Sequence, residues 1–501
     1  DVTVPNATPL TGDIADLLYA QSGPVDILAD DDLTPPNDLV TGKAVKLLAT
    51  EPGLQVAMLS ELQAAGLNVG NHGRLGVMRN GEAVPRQIAD GALFFYAEAK
   101  GDYWNETDVF WITDTGANVE NMATRTVAPA GAPLRNEAYE SGSWQDNQVY
   151  ASYIAGGDMD HWFAANMQTN SDMADDYPVA FAALDHRLPL SGYGDLTLQV
   201  RSTTTRRATY NLRIDAGVRD GERFTALAGA TARWDSSDFA ASENEWLTDP
   251  IVQSVVASDL RLTLEPPDPV VIGGAVVESF AELYLDEITW RQRVALNFRD
   301  GGAIFDGADG TFRYRLRNVP TAYRLFDVTD PSAPVALTGE SRSGAEVIFE
   351  DGPGGVRRYL VASDGNVHRP PLVVHDGTNV VAASGGAHLL YIAPASLHAS
   401  LQQLTDFRRE QNCPGGGRCQ VRTVDVQEIY DAYSFGSVSP EAIRQYLRYA
   451  VANWSPAPIS VVLVGDGTQD PKNYEGHEQS PDLIPPYLAY HVGDPEAVSY
   501  T

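Results

Sequence analysis

Lysine is nearly missing from this 501-residue chain. Lys43, Lys46, Lys100 and Lys472 are its whole supply, and every other cation is an arginine. Against 67 acidic residues, 35 Lys and Arg leave a net charge of −32. Phosphate backbones and anionic bilayers are held by Lys and Arg, so the balance excludes nucleic acid and membrane surfaces as expected partners. The acidity reads as a solvated face. Cysteine is scarcer still, with two in the chain, which excludes a disulfide-dense scaffold and a four-cysteine zinc site. No apolar run approaches the roughly 18 residues of a membrane span. The chain opens on Asp1 with neither an initiator Met nor a signal peptide, which reads as a trimmed start and says nothing of targeting.

What is present points to several domains, since the chain is long enough for about three or four. Residues 1–40 are rich in Asp, Pro and Thr without periodicity and read as a linker or loosely ordered segment. Residues 41–148 read as a small β-rich domain. Ala44 to Thr50 is a candidate strand, and Leu54 to Leu67 contains a short helix ended by Gly66. Asn80-Gly81 is a hairpin turn between Arg74–Arg79 and Glu82–Pro85, and two aromatic strands follow at Ala92–Tyr96 and Val109–Thr113. Residues 149–298 carry alternating strands between turn-rich stretches, as in Leu196–Arg201, Ala208–Ile214, Leu260–Leu264 and Phe280–Trp290, which is the pattern of a β-sandwich. Residues 299–384 read as a further β domain, with strands at Phe312–Leu316, Tyr323–Val328 and Arg358–Ala362.

From residue 385 the grammar changes to strand, helix, strand, helices, strand, which builds a parallel sheet covered by helices. The strands are Leu389–Ala393, Gln420–Val424 and Ile459–Val464. Leu397, Leu401 and Leu404 lie on one helical face. Asp425 with Glu428, and Ser439 before Pro440, are helix starts, and Ile443, Leu447 and Val451 carry the last helix. The run Val461–Val464 is expected to be central in the sheet, with an apolar edge or face uncovered near it.

Three constellations invite chemistry. Cys413 and Cys419 flank a Gly-rich loop that brings them together, so a disulfide suited to an oxidising, extracytoplasmic setting is the expectation. A metal reading lacks two further ligands, and a catalytic one lacks a neighbouring His. Asp158-Met159-Asp160-His161 offers two carboxylates and an imidazole, but Trp162 and Phe163 beside it favour a loop that plugs a sandwich. Asp466, Thr468, Asp470 and Asn473 follow the last strand, at the end where ligands meet parallel sheets. Their oxygens suit Ca²⁺, the one cofactor considered, or a substrate side chain. The plain alternative is a structural Asp turn.

The C-terminal quarter resembles the gingipain-like cysteine peptidases, peptidase family C25. The resemblance is carried by Leu389–Pro394, Leu404–Arg409, Val421–Tyr430, Ser439–Leu447 and Val461–Asp466, with Ile484-Pro485-Pro486-Tyr487 in place of an Ile-Pro-x-Tyr segment. The Gly81–Pro85 segment before an aromatic strand is similar to the N-terminal part of large members. The strand Tyr284-Leu285-Asp286-Glu287-Ile288-Thr289-Trp290 resembles the closing strand of jelly-roll modules, some of which bind sugars. The resemblance implies β-rich N-terminal modules, including a jelly-roll-like β-sandwich, before the first part of a caspase-like α/β domain over 385–501. It implies a secreted endopeptidase with protein or peptide substrates; the jelly-roll likeness adds glycans as a further partner class, beside the plainer reading of a spacer sandwich with Trp290 in its core. The family's Cys–His dyad follows the Ile-Pro-x-Tyr segment by a long interval, so it is expected beyond Thr501 and these residues are expected to be inactive alone. The other reading is a non-catalytic surface or secretion-associated protein built on a degenerate peptidase domain.

Overall fold

The computed structural model describes residues 42–151 and, with interruptions, 162–487, the longest gaps falling at 181–195, 237–244, 204–209 and 252–258. The linker expected over 1–40 and the Asp158-Asp160-His161 group lie outside the described residues. The described chain forms two compact units, 42–377 with 472–478, and 378–471 with 479–501, of which 482–487 are described.

The first unit is almost entirely antiparallel sheet. Ala44–Ala49 lies between Leu372–His375 and Asp108–Thr113, which continues to Gly76–Arg79 and Glu82–Ala83. Arg79 pairs with Glu82 across Asn80-Gly81, both with positive φ, because a tight hairpin matches strand twist through left-handed residues. A second such turn, Asp90-Gly91, joins Arg86–Ala89 to Ala92–Ala97, which also pairs with Gly53–Met58. The two sheets bury Val45, Leu47, Phe110 and Ile112 with Leu93 and Phe95, and the rings of Phe95 and Phe110 meet at 4.7 Å. The helix expected within Leu54–Leu67 is confined to Leu59–Ala64, because Gly53–Met58 is taken by the sheet.

The sheets do not follow the linear order of the sequence. One runs through Leu196–Thr203, Phe280–Ala295, Glu137–Gln145, Gly302–Asp306, Arg358–Ala362 and Arg324–Asp327, and ends with Ala123–Thr126 paired to Val335–Thr338. Segments distant in sequence thus complete one hydrogen-bond ladder, with Phe305, Tyr314, Phe349 and Tyr359 stacked in the core beneath it. Arg125 ties this region further, reaching Asp327 at 2.6 Å and Asp351 at 2.5 Å, while Arg357 reaches Asp327 at 2.8 Å.

The second unit is the parallel sheet, β1 (Leu389–Ala393), β2 (Val421–Asp425) and β3 (Ser460–Leu463), with helices α1 (Ala395–Arg409), α2 (Val426–Tyr433) and α3 (Pro440–Asn453). Leu389 pairs with both Val421 and Ser460 in parallel register, so the order is β2-β1-β3. Among the described strands the centre is therefore β1, where Val461–Val464 was expected. β1 is buried on both faces, and β3 is an edge among them with Ile459 54% and Val462 40% exposed. An apolar edge near this strand is therefore present, as expected. Hydrophobicity alone could not rank the strands, because β1 and β3 both carry apolar runs.

Helices α2 and α3 cover one face, around Leu390, Ile392, Val424, Ile443 and Tyr446, and α1 covers the other, around Tyr391, Ala393 and Leu401. Asp425 caps α2 by accepting the Gln427 N–H at 3.1 Å, and Ser439 caps α3 by accepting that of Ala442 at 3.2 Å. Two helical stripes are shifted from expectation. Leu404 is 42% exposed and Val451 55%, while Thr405 of α1 and Tyr446 and Ala450 of α3 are buried.

Candidate functional site at the carboxyl end of the parallel sheet

Parallel pairing brings the carboxyl ends of the strands to one side, where β1 ends at Ala393 opposite Asp425 of β2. Beyond β3 the Val464 N–H still donates to the Ile392 carbonyl at 2.8 Å. The chain then turns through Gly465-Asp466-Gly467-Thr468. The exposed Asp466 accepts the Gly467 N–H at 3.1 Å, and the Thr468 hydroxyl accepts the Asp470 N–H at 3.0 Å. The turn is locally satisfied.

The later segment returns to this turn. The N–H groups of Leu483 and Ile484 both donate to the Asp466 carbonyl, at 2.9 and 3.2 Å. Two glycines permit the approach. A Cβ on Gly465, whose φ is +155°, would stand 2.7 Å from the Leu483 Cβ, and one on Gly467 would stand 2.3 Å from the Ile484 carbonyl oxygen. Ile484 enters the core beside α3, and the Tyr487 hydroxyl meets Arg444, which pairs with Glu441 at 3.2 Å.

Asp482 enters with this segment and was not among the residues singled out from sequence. Neither of its carboxyl oxygens, both buried, has a hydrogen-bond partner. Burial and the like charge of Asp466 push it up to about 6, and the nearby Thr468 N–H only partly opposes them. No local pattern marks it, because its environment comes from the return of the chain onto the strand end.

The structure thus brings Asp466, Thr468 and Asp470 onto one loop and adds Asp482. Asn473 falls in the 472–478 stretch grouped with the first unit, where its carbonyl accepts the Gly476 N–H at 3.0 Å in a turn of its own. Among the described residues no group of three or more His, Cys, Asp or Glu is placed to hold a metal ion. Cys413 and Cys419 are joined by a disulfide with Cα atoms 4.9 Å apart, and Cys419 N–H donates to the Gln411 carbonyl at 3.1 Å. Trp162 and Phe163 are buried in a short strand paired with Val149–Tyr150, with Phe163 against Tyr284 at 5.2 Å. Trp290 is also buried, over Gly142, where a Cβ would come within 2.3 Å of its ring.

Residues 382–500 match the family model of peptidase family C25. This C-terminal segment is similar to peptidase family C25. Across most of the chain the fold is similar to the crystal structure of dimeric latent PorU from Porphyromonas gingivalis, with a TM-score of 0.55 at 14% identity. The match covers 90% of this chain and 44% of that one, so the chain spans less than half the length of PorU. The likeness gives the family segment its setting, β-rich sheets followed by the start of a caspase-like α/β domain. FLHE, at TM-score 0.15 and 12% identity over 31% of this chain and 97% of its own, carries no argument. Nor does the VP2 subviral particle of infectious bursal disease virus, at 0.20 and 8% over 64% and 63%. No curated protein matches the chain significantly.

Proposed function

We propose that these 501 residues are the N-terminal region of a secreted, gingipain-like cysteine endopeptidase whose Cys–His dyad is contributed by other residues of the full protein. The observation that carries the reading is the coincidence of the family C25 segment with the parallel sheet β2-β1-β3 and its loop-bearing carboxyl end. Neither cysteine of the chain is a free thiol. A thiolate nucleophile, which must form beside a base before it attacks a peptide carbonyl and passes through an acyl-enzyme, is therefore not supplied here. The part played by this chain is support, with Asp466, Thr468 and Asp470 bordering the end of the sheet at which protein or peptide substrates are met. The Cys413–Cys419 disulfide favours an extracellular or cell-surface location, and no helix among the described residues is long and apolar enough to cross a membrane. The jelly-roll-like stretch within 149–298 serves as a spacer. A glycan platform at Trp290 is disfavoured by the burial of that ring.

The test is the full reading frame that carries these residues. It should contain a His in a Gly-His-Gly type turn and a later Cys, hydrolyse peptides, and take up a thiol-directed probe at that Cys. Residues 1–501 alone should neither hydrolyse peptides nor be labelled. A reading frame without the dyad, or labelling of Cys419 that parallels turnover, would sink the proposal.

A further inference from the structure

The return of residues 482–487 onto the loop after β3 sets two effects against each other. The Leu483 and Ile484 amides hold the Asp466 carbonyl, Ile484 is buried, and Gly465 and Gly467 clear the approach. The same approach takes the Asp482 carboxyl out of water beside Asp466, with no hydrogen-bond partner for either oxygen. Besides Asp466, the Thr468 N–H lies near the Asp482 carboxyl and opposes the effect of burial, and Arg444 is the cation of α3 that meets the segment, at Tyr487. Arg444 also pairs with Glu441, and the Asp470 backbone closes the Thr468 turn. We propose that this contact is a proton-operated latch. With Asp482 protonated, residues 482–487 close on the loop at the carboxyl end of the sheet, and with Asp482 ionised the like charge of Asp466 loosens them.

The sign follows from linkage. The closed state raises the Asp482 carboxyl to about 6 through burial and Asp466, whereas a free Asp titrates near roughly 3.9. Closure therefore strengthens as pH falls through the closed-state value and levels off near the free-Asp value, by about tenfold between roughly pH 7.5 and 5. This device is independent of whether the full protein is a peptidase.

Hydrogen exchange of the Leu483 and Ile484 amides in the whole chain, corrected for the intrinsic pH dependence of exchange, reads the latch directly. Protection should be about tenfold higher near pH 5 than near pH 7.5. Asp482→Asn should keep the high value at both, and Asp466→Asn should move the midpoint down. Wild-type protection that stays flat across this window would overturn the proposal, as would an Asp482→Asn profile identical to wild type. Should Asp482→Asn fail to fold, a midpoint unmoved by Asp466→Asn would overturn it alone. Protection restored near pH 7.5 by calcium chloride would make the pair a cation site, and would overturn the proton latch too.

Discussion

A Cβ on Gly467 has nowhere to go, because the obstacle 2.3 Å away is the backbone carbonyl of Ile484 rather than a movable side chain. Gly467→Ala should therefore push residues 482–487 off the loop, costing about 1–3 kcal/mol in chemical denaturation. Unchanged protection of the Ile484 amide in that variant would show that the contact is not made. Tyr446 gives the opposite case. It is fully buried against Trp454 and Tyr433, its hydroxyl has no partner, and burial raises its pKa. An unpaired buried hydroxyl is a net cost, so Tyr446→Phe should leave stability unchanged or raise it by up to about 1 kcal/mol. A melting temperature several degrees lower would mean that the hydroxyl has a partner in solution.

Among the elements, α3 shows how much a helix owes to its first turn. Ser439 accepts the Ala442 N–H and Pro440 occupies the position where an amide hydrogen is dispensable. Ser439→Ala should cost about 1 kcal/mol, and Ser439→Asp should restore most of it. Denaturant midpoints for the three proteins decide this, and an alanine variant as stable as wild type would remove the cap from the account. Between α1 and β2 the disulfide closes a very short Gly-rich loop, so little denatured-state entropy is removed. Its contribution should fall below the roughly 2–4 kcal/mol typical of longer loops. Mass spectrometry before and after reduction reads the bond, and two free thiols after oxidative refolding would exclude it.

For the first unit as a whole, the decisive charges are those that tie strands distant in sequence. Asp327 is pulled in two directions: burial raises its pKa, but hydrogen bonds from Thr329, Arg125 and Arg357 prevail and hold it below the usual carboxylate range. Its contribution is therefore complete above the unfolded carboxylate pKa and is lost as pH falls through the lower folded value. Asp327→Asn should cost about 1–3 kcal/mol near neutrality, since it removes the carboxylate that half-buried Arg125 and Arg357 share, while Asp351 still pairs with both. The gap should narrow in strong acid, where wild-type Asp327 is itself protonated. Urea unfolding at the two pH values checks this, and a gap that stayed constant would assign the loss to packing rather than charge.

Local chemistry was enough for the elements of this protein that repeat or punctuate. The Asn80-Gly81 hairpin, the Asp425 and Ser439 caps, and the change from alternating strands to strand–helix grammar near residue 385 were all legible, because each depends on residues within a few positions of one another. The strand end and the polar turn through Asp466, Thr468 and Asp470 were legible for the same reason, since the two are contiguous. Tertiary structure alone decided what depends on chain return. Among the described strands β1 rather than β3 is central, although both are apolar, because pairing partners come from elsewhere in the chain. Ala123–Thr126 and Val335–Thr338 share a ladder across a long separation that no local pattern records. Asp482, an ordinary aspartate in sequence, becomes a buried carboxyl beside Asp466 only when Leu483 and Ile484 fold back onto the strand end, where low exposure and a like charge replace water.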